Sequence, residues 1–239
     1  MTVVLLHAGV CDHRMWDGIV PALHAVGRKV VTPDLRGFGS RPVGHAPFSH
    51  VGDVLALLDG IGAERVDLVG ASFGGRVALQ VAARAPERVR SLALLAPALP
   101  EWDYTDPALV EYGEAEEAAL RRGDVEAAVD LNVRFWAGGL HPADQEYVAE
   151  AQRRAFELGA EADELEQEEP ALDLAAIAAP AHVIVGDQDV PDFVAIARHL
   201  ASTLPGARLD VIEGAGHLLA LERPDEVSAL LSAWARREE

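Results

Sequence analysis

A serine framed by glycines, Gly70-Ala71-Ser72-Phe73-Gly74, sits between an apolar run at 66–69 and an alanine-rich stretch from Arg76 to Ala85. A serine hydroxyl attacks a carbonyl carbon only when a base takes its proton, and an acid must orient that base. Glycines on either side allow a tight turn from strand to helix, which leaves the hydroxyl exposed above a sheet edge. Downstream, His217 follows Gly214-Ala215-Gly216, and Gly186-Asp187-Gln188-Asp189 offers two carboxylates. Serine, acid and histidine each come just after an apolar run. Their shared chemistry is acyl transfer through an acyl-serine.

These side chains need a scaffold that carries them to one place. Short apolar runs at 3–6, 30–31, 66–69, 91–96, 181–185 and 209–212 read as strands. Between them, helical periodicity appears at 15–26, 48–61, 76–85 and 193–204, with a last helix at 224–237. Apolar strands alternating with amphipathic helices predict a parallel sheet covered on both faces. Ligands then bind at the carboxyl ends of the strands, the rim where Ser72, the acid and His217 emerge. From 97 to 172 the strand rhythm stops, and 109–120, 125–135 and 144–158 read as helices. The expected organisation is a core of 1–97 and 173–239 with a helical insertion at 98–172.

Four motifs carry a family resemblance: His7-Ala8-Gly9, Asp34-Leu35-Arg36-Gly37-Phe38-Gly39, the Ser72 turn, and the later acid and histidine in the order Ser…Asp…His. Together they resemble the α/β-hydrolase fold, in its serine-nucleophile branch. The likeness runs from residue 3 to the C-terminus, the insertion apart. It implies a mostly parallel, doubly wound α/β sheet of about six strands with a helical cap insertion. Met1 stands directly before the first strand, so the N-terminal hairpin of many relatives is expected to be missing.

The resemblance implies Ser72, Asp189 and His217 as the catalytic residues. Family members place the acid three residues after a strand-ending glycine, which selects Asp189 and leaves Asp187 as the fallback. The implied oxyanion hole uses the backbone amides of Phe73 and Gly9, with Val10 as the alternative to Gly9. His7 is expected to brace its loop, and Asp34 and Arg36 to hold a structural turn. The insertion is expected to cap the site. Its Trp102 and Trp136 are the candidate substrate-binding residues, with Tyr104, Phe135 and either Trp16 or Phe38 as further candidates. A serine where relatives that attack alkyl halides or epoxides carry aspartate disfavours those two activities. The implied reaction is hydrolysis of a carboxylic ester or lactone of a small, mainly neutral substrate. Carbon–carbon bond hydrolysis, a lyase or perhydrolase reaction on the same triad, and a non-catalytic ligand receptor are the rivals.

Composition narrows the partners. The chain has 239 residues, with 20 Lys+Arg against 39 Asp+Glu, a formal net charge of −19. Such a surface repels phosphate backbones and anionic headgroups, so neither nucleic acid nor membrane is an expected partner. Residues 101–172 alone hold 20 acidic and 5 basic side chains, including the run Glu164–Glu169. Hydrophobic residues make up 50% and aromatics 5%, so the core is aliphatic. The single cysteine, Cys11, excludes an intramolecular disulfide and a cysteine-based zinc site. With no metal-ligand spacing among the histidines, neither metal nor cofactor is expected. No basic leader and no apolar run of membrane-spanning length are seen, so the expected location is cytoplasmic. A small-molecule substrate is the expected partner, and a homodimer is left open.

Overall fold

The computed structural model describes residues 1–160 and 170–237. The apolar runs become strands β1 (Thr2–Leu6), β2 (Lys29–Val31), β3 (Val66–Ala71), β4 (Val89–Leu95), β5 (Ala181–Gly186) and β6 (Arg208–Ile212). They form one six-stranded sheet in the order β2-β1-β3-β4-β5-β6, and every neighbouring pair is parallel. Side chains alternate across it as strand geometry requires. In β1, Val4 and Leu6 join the core on one face, while Val3 and Leu5 join the core on the other.

Helices α1 (Val20–Ala25), α2 (His50–Gly60), α3 (Phe73–Arg84), α7 (Pro191–Thr203) and α9 (Pro224–Arg237) cover the sheet. Of the other described helices, α8 (Leu219–Glu222) is a single turn after the His217 loop. The helix expected over 15–26 is split. Met15 and Trp16 lie in a short 3-10 turn, and α1 starts only at Val20. Pro21 explains the delay, because a residue without an amide hydrogen is tolerated in the first turn of a helix but not in its interior.

Asp67, the second residue of β3, is fully buried. A carboxylate there is tolerable only if paired. Arg90 reaches it with two nitrogens, and the Ser91 hydroxyl donates to it at 2.7 Å.

Between β4 and β5 lie α4 (Pro107–Arg121), α5 (Val125–Trp136) and α6 (Pro142–Ala160). Asp106 and Asp124 cap the first two, each accepting backbone amides of the opening turn. The expected charge run Glu164–Glu169 lies outside the described residues. No described helix is long and apolar enough to cross a membrane.

The register levels the strand ends that matter. Leu6 pairs with Gly70, Gly70 with Leu94, and Gly186 with Ile212. The loops after β1, β3, β5 and β6 therefore open on the same rim.

Candidate active site

Ser72 occupies the turn between β3 and α3, so the helix begins at Phe73, three residues earlier than the periodicity predicts. Its backbone sits at φ 49° and ψ −113°, a conformation that side chains other than glycine rarely adopt. Three backbone bonds hold it there: its amide donates to Leu95 O, and its carbonyl accepts from Arg76 and Ala98. Close approach of the chain explains the glycine after it. A Cβ on Gly74 would stand 2.3 Å from the Leu6 carbonyl oxygen. The Gly74 amide instead bonds His7 O at 3.1 Å, which ties the turn to the loop after β1.

His217 and Asp189 converge on this serine. The Ser72 Oγ lies 2.8 Å from His217 Nε2, and His217 Nδ1 is 3.0 Å from both oxygens of Asp189. With the carboxylate at Nδ1, that nitrogen carries the hydrogen and Nε2 is the free base facing Ser72. Asp189 and His217 are both buried. Asp189 also accepts the Val190 amide at 2.7 Å. Asp187 goes elsewhere: it is exposed and accepts the Gly214 amide at 2.7 Å, bracing the loop that carries His217. The structure thus joins Asp189, not the fallback Asp187, to the histidine.

The imidazole also packs against two neighbouring rings, Trp136 at 4.5 Å and Phe193 at 4.3 Å between centroids. Phe193 was not evident from the sequence. It sits in the first turn of α7, and only its position four residues after Asp189 hinted at the site.

The loop after β1 is held rigid. Leu35 N–H donates to His7 Nε2 at 2.9 Å, so the ring's hydrogen is on Nδ1, which donates to Ala8 O at 2.8 Å. Cys11 N–H donates to the same carbonyl at 3.0 Å. Because a trans peptide points its C=O and N–H in opposite directions, anchoring Ala8 O aims the Gly9 amide away from both donors. Burial lowers the His7 pKa, which keeps the ring neutral in this bracing role. Neither the Gly9 nor the Phe73 amide donates to another group among the described residues. A Cβ placed on Gly9 would lie 3.4 Å from Phe73 Cβ, so the two residues abut.

A cavity of about 460 Å³ reaches this pair, lined by Gly9, Val10 and Phe73 with Phe38 and Phe48 from the core and residues of α4, α5 and α6. A larger one of about 610 Å³ borders Asp189 and His217 on the side of Trp136, Phe135 and Leu140. Ser72 lines neither, but an attacked carbonyl must place its oxygen at free backbone amides, and the first cavity is the one lined by both Gly9 and Phe73.

The remaining sequence candidates fall into place around this geometry. Trp136 reaches His217, whereas Trp102 packs on His199 of α7 at 5.6 Å and lines neither cavity beside the triad. Tyr104 packs on Phe193, and its hydroxyl bonds the Leu99 backbone. Trp16 is fully buried in the core, so of that pair only Phe38 lines the smaller cavity. Arg36 makes a two-pronged pair with Asp53, at 2.7 and 2.6 Å, within its turn. Burial pushes the Cys11 thiol up to about 12, so it stays protonated and unreactive at neutral pH. Among the described residues, one group of three possible metal ligands occurs, Asp12, His13 and Asp34. Its carboxylates are already engaged, Asp12 by Arg14, and Asp34 by His13 and Ser40.

The comparison with known proteins follows the same outline. A family profile described as alpha/beta hydrolase fold matches residues 2–224. The chain belongs to the α/β hydrolase fold family. The 2-hydroxy-6-oxo-2,4-heptadienoate hydrolase of Pseudomonas putida is 40% identical over 111 residues, 44% of this chain and 40% of that protein. That match thus spans about two fifths of the relative's length. A pimeloyl-[acyl-carrier protein] methyl ester esterase of Aromatoleum aromaticum is 30% identical over 98% of both chains. Among solved structures, the enol-lactonase from Burkholderia xenovorans LB400 superposes with a TM-score of 0.79 at 25% identity, covering 98% of this chain and 91% of that one.

Proposed function

We propose that the protein is a serine hydrolase that cleaves a carboxylic ester or lactone of a small, mainly neutral substrate. The observation that carries this reading is the unbroken relay from Ser72 Oγ through His217 to Asp189, at 2.8 and 3.0 Å. His217 Nε2 takes the hydroxyl proton as Oγ bonds to the carbonyl carbon, and Asp189 stabilises the imidazolium that results. The carbonyl electrons move to oxygen, which the Phe73 and Gly9 amides receive. Collapse expels the alkoxide, protonated by His217, and leaves an acyl-serine. Water then attacks the acyl carbon by the same route and frees Ser72. Each oxyanion donor is typically worth about 2.7–4 kcal/mol of barrier. The likeness to a methyl ester esterase and an enol-lactonase supports ester or lactone as the bond.

A second reading has one observation in its favour. The name of the heptadienoate hydrolase describes a substrate without an ester, so water must there break a carbon–carbon bond. The same base and oxyanion donors serve such a reaction.

The test is labelling by a fluorophosphonate probe, with wild type, Ser72→Ala and His217→Ala side by side, followed by a panel of esters and lactones. Labelling confined to the wild type, with ester turnover lost in Ser72→Ala, is expected. A folded wild type that takes no label would overturn the serine hydrolase reading. Labelling without turnover of any ester or lactone would favour the second.

A further inference from the structure

The cap presents a polar cluster to the cavity that reaches Gly9 and Phe73. Tyr112 and Glu116 come from α4, and Asn132 from α5. All three line that cavity. Asn132 is buried, and its side-chain amide donates to Ala128 O at 2.9 Å and to Glu116 Oε1. The Tyr112 hydroxyl lies 2.7 Å from Asn132 Oδ1 and 3.1 Å from the same Glu116 oxygen. One carboxylate oxygen is therefore pinned, while Oε2 has no hydrogen-bond partner among the described residues.

The other wall of the cavity holds its own ion pairs. Arg36 lines it, but its Nε and Nη2 are committed to Asp53, which also pairs with Arg41 at 3.1 Å. His50 is neutral at pH 7, because burial lowers it to about 4. The rest of the lining is largely aromatic and aliphatic, including Phe48 and Phe156. A volume of about 460 Å³ lies within the usual range for small-molecule sites.

We propose that Glu116, held by Tyr112 and Asn132, selects an acyl group whose far end carries a hydrogen-bond donor or positive charge, and rejects one ending in a carboxylate. This rests on the serine hydrolase reading, since it places the acyl chain on the side of the Phe73 and Gly9 amides. A carboxylate lining the cavity favours a donor or cation and repels a like charge. The preference is the acyl-side specificity that the aromatic lining alone cannot provide.

Three 4-nitrophenyl esters of equal chain length test it: hexanoate, 6-aminohexanoate and the adipate monoester. Each kcat/KM is divided by that of hexanoate on the same protein. In the wild type the amine is expected to exceed the carboxylate by about tenfold or more. The net charge of −19 biases this ratio as well, so the decisive comparison is Glu116→Gln, which removes one charge and keeps the Oε1 acceptor. There the ratio is expected to fall by about tenfold. A wild type that turns over adipate as readily as 6-aminohexanoate overturns the proposal, whether or not the variant folds. So does a ratio that Glu116→Gln leaves unchanged. If Ser72 takes no label and no ester is cleaved, the hydrolase reading fails separately. Calorimetric titration with 6-aminohexanamide against adipamic acid then reads the preference, and equal binding of the two overturns it.

Discussion

Gln152 of α6 donates its side-chain amide to the Gly9 carbonyl at 3.0 Å. The insertion thereby holds the loop that supplies an amide to the candidate oxyanion site. Tyr147 of the same helix accepts the Asp12 amide at 3.0 Å and donates to Asp12 O at 3.1 Å. Arg14 and Glu150 add an exposed ion pair, of little energetic weight on its own. Helix α6 and the loop after β1 are thus joined by part-buried hydrogen bonds, so the insertion both lines the cavity and holds that loop.

Replacing Gln152 by Met keeps the volume and removes the bond. A neutral hydrogen bond is worth about 0.5–1.5 kcal/mol, so kcat is expected to drop about 2- to 12-fold. KM should change less, because the loop serves the developing oxyanion more than the bound ester. Steady-state kinetics on a neutral ester would decide it. An unchanged kcat would show that the Gly9 loop keeps its geometry without the Gln152 bond.

The two aspartates after β5 make opposite predictions. Asp189→Asn leaves the packing in place but lets the imidazole settle in the wrong tautomer, so kcat is expected to fall about 10⁴-fold. Asp187→Asn keeps an acceptor for the Gly214 amide and should stay within about threefold of wild type, the loss confined to one weakened hydrogen bond. Equal damage from both substitutions would mean that the histidine loop depends on Asp187 as much as on its own carboxylate partner.

The β/α rhythm and the positions of Ser72, Asp189 and His217 were legible because apolar strands and the loops after them leave strong local patterns. Helix starts were less so. Pro21 moved one inward, and the strained Ser72 backbone moved another to Phe73. The polar residues that shape the cavity left no signal at all. Glu116 stands among Glu114 and Glu117 on an acidic helix and reads as solvent-facing, and Gln152 reads likewise among the charges of α6. Only the packing of α4, α5 and α6 turns those faces inward. Trp102 shows the converse, an aromatic that looked suited to the site yet packs against α7.

Gly74→Ala tests whether the elbow tolerates a side chain. The added methyl would meet backbone atoms, Leu6 O at 2.3 Å and His7 O at 2.6 Å, which cannot move without parting β1 from α3. The cost is expected to exceed about 3 kcal/mol, at the upper end for overpacking. Chemical denaturation would read it, and a variant within 1 kcal/mol of wild type would contradict such close packing (about 1 kcal/mol being an ordinary substitution).

His50 gives stability a pH dependence of known sign. It opens α2 and is buried at the cavity wall, with Phe48 and Phe73 edge-on at 5.1 Å each. Burial lowers its pKa from 6.5 to about 4, so the unfolded chain binds a proton there before the folded one does. Its neutral form is accommodated in full above pH 6.5. As pH falls from 6.5 towards 4, protonation favours unfolding, by up to about 3 kcal/mol in total. Below about 4 this group adds no further slope. His50→Phe removes the titration, so the variant's urea midpoint should decline less between pH 7 and 4.5 than that of the wild type. Some slope should persist, because burial lowers His7 in the same direction. Parallel midpoint curves for the two proteins would show that His50 takes up its proton without opening the fold.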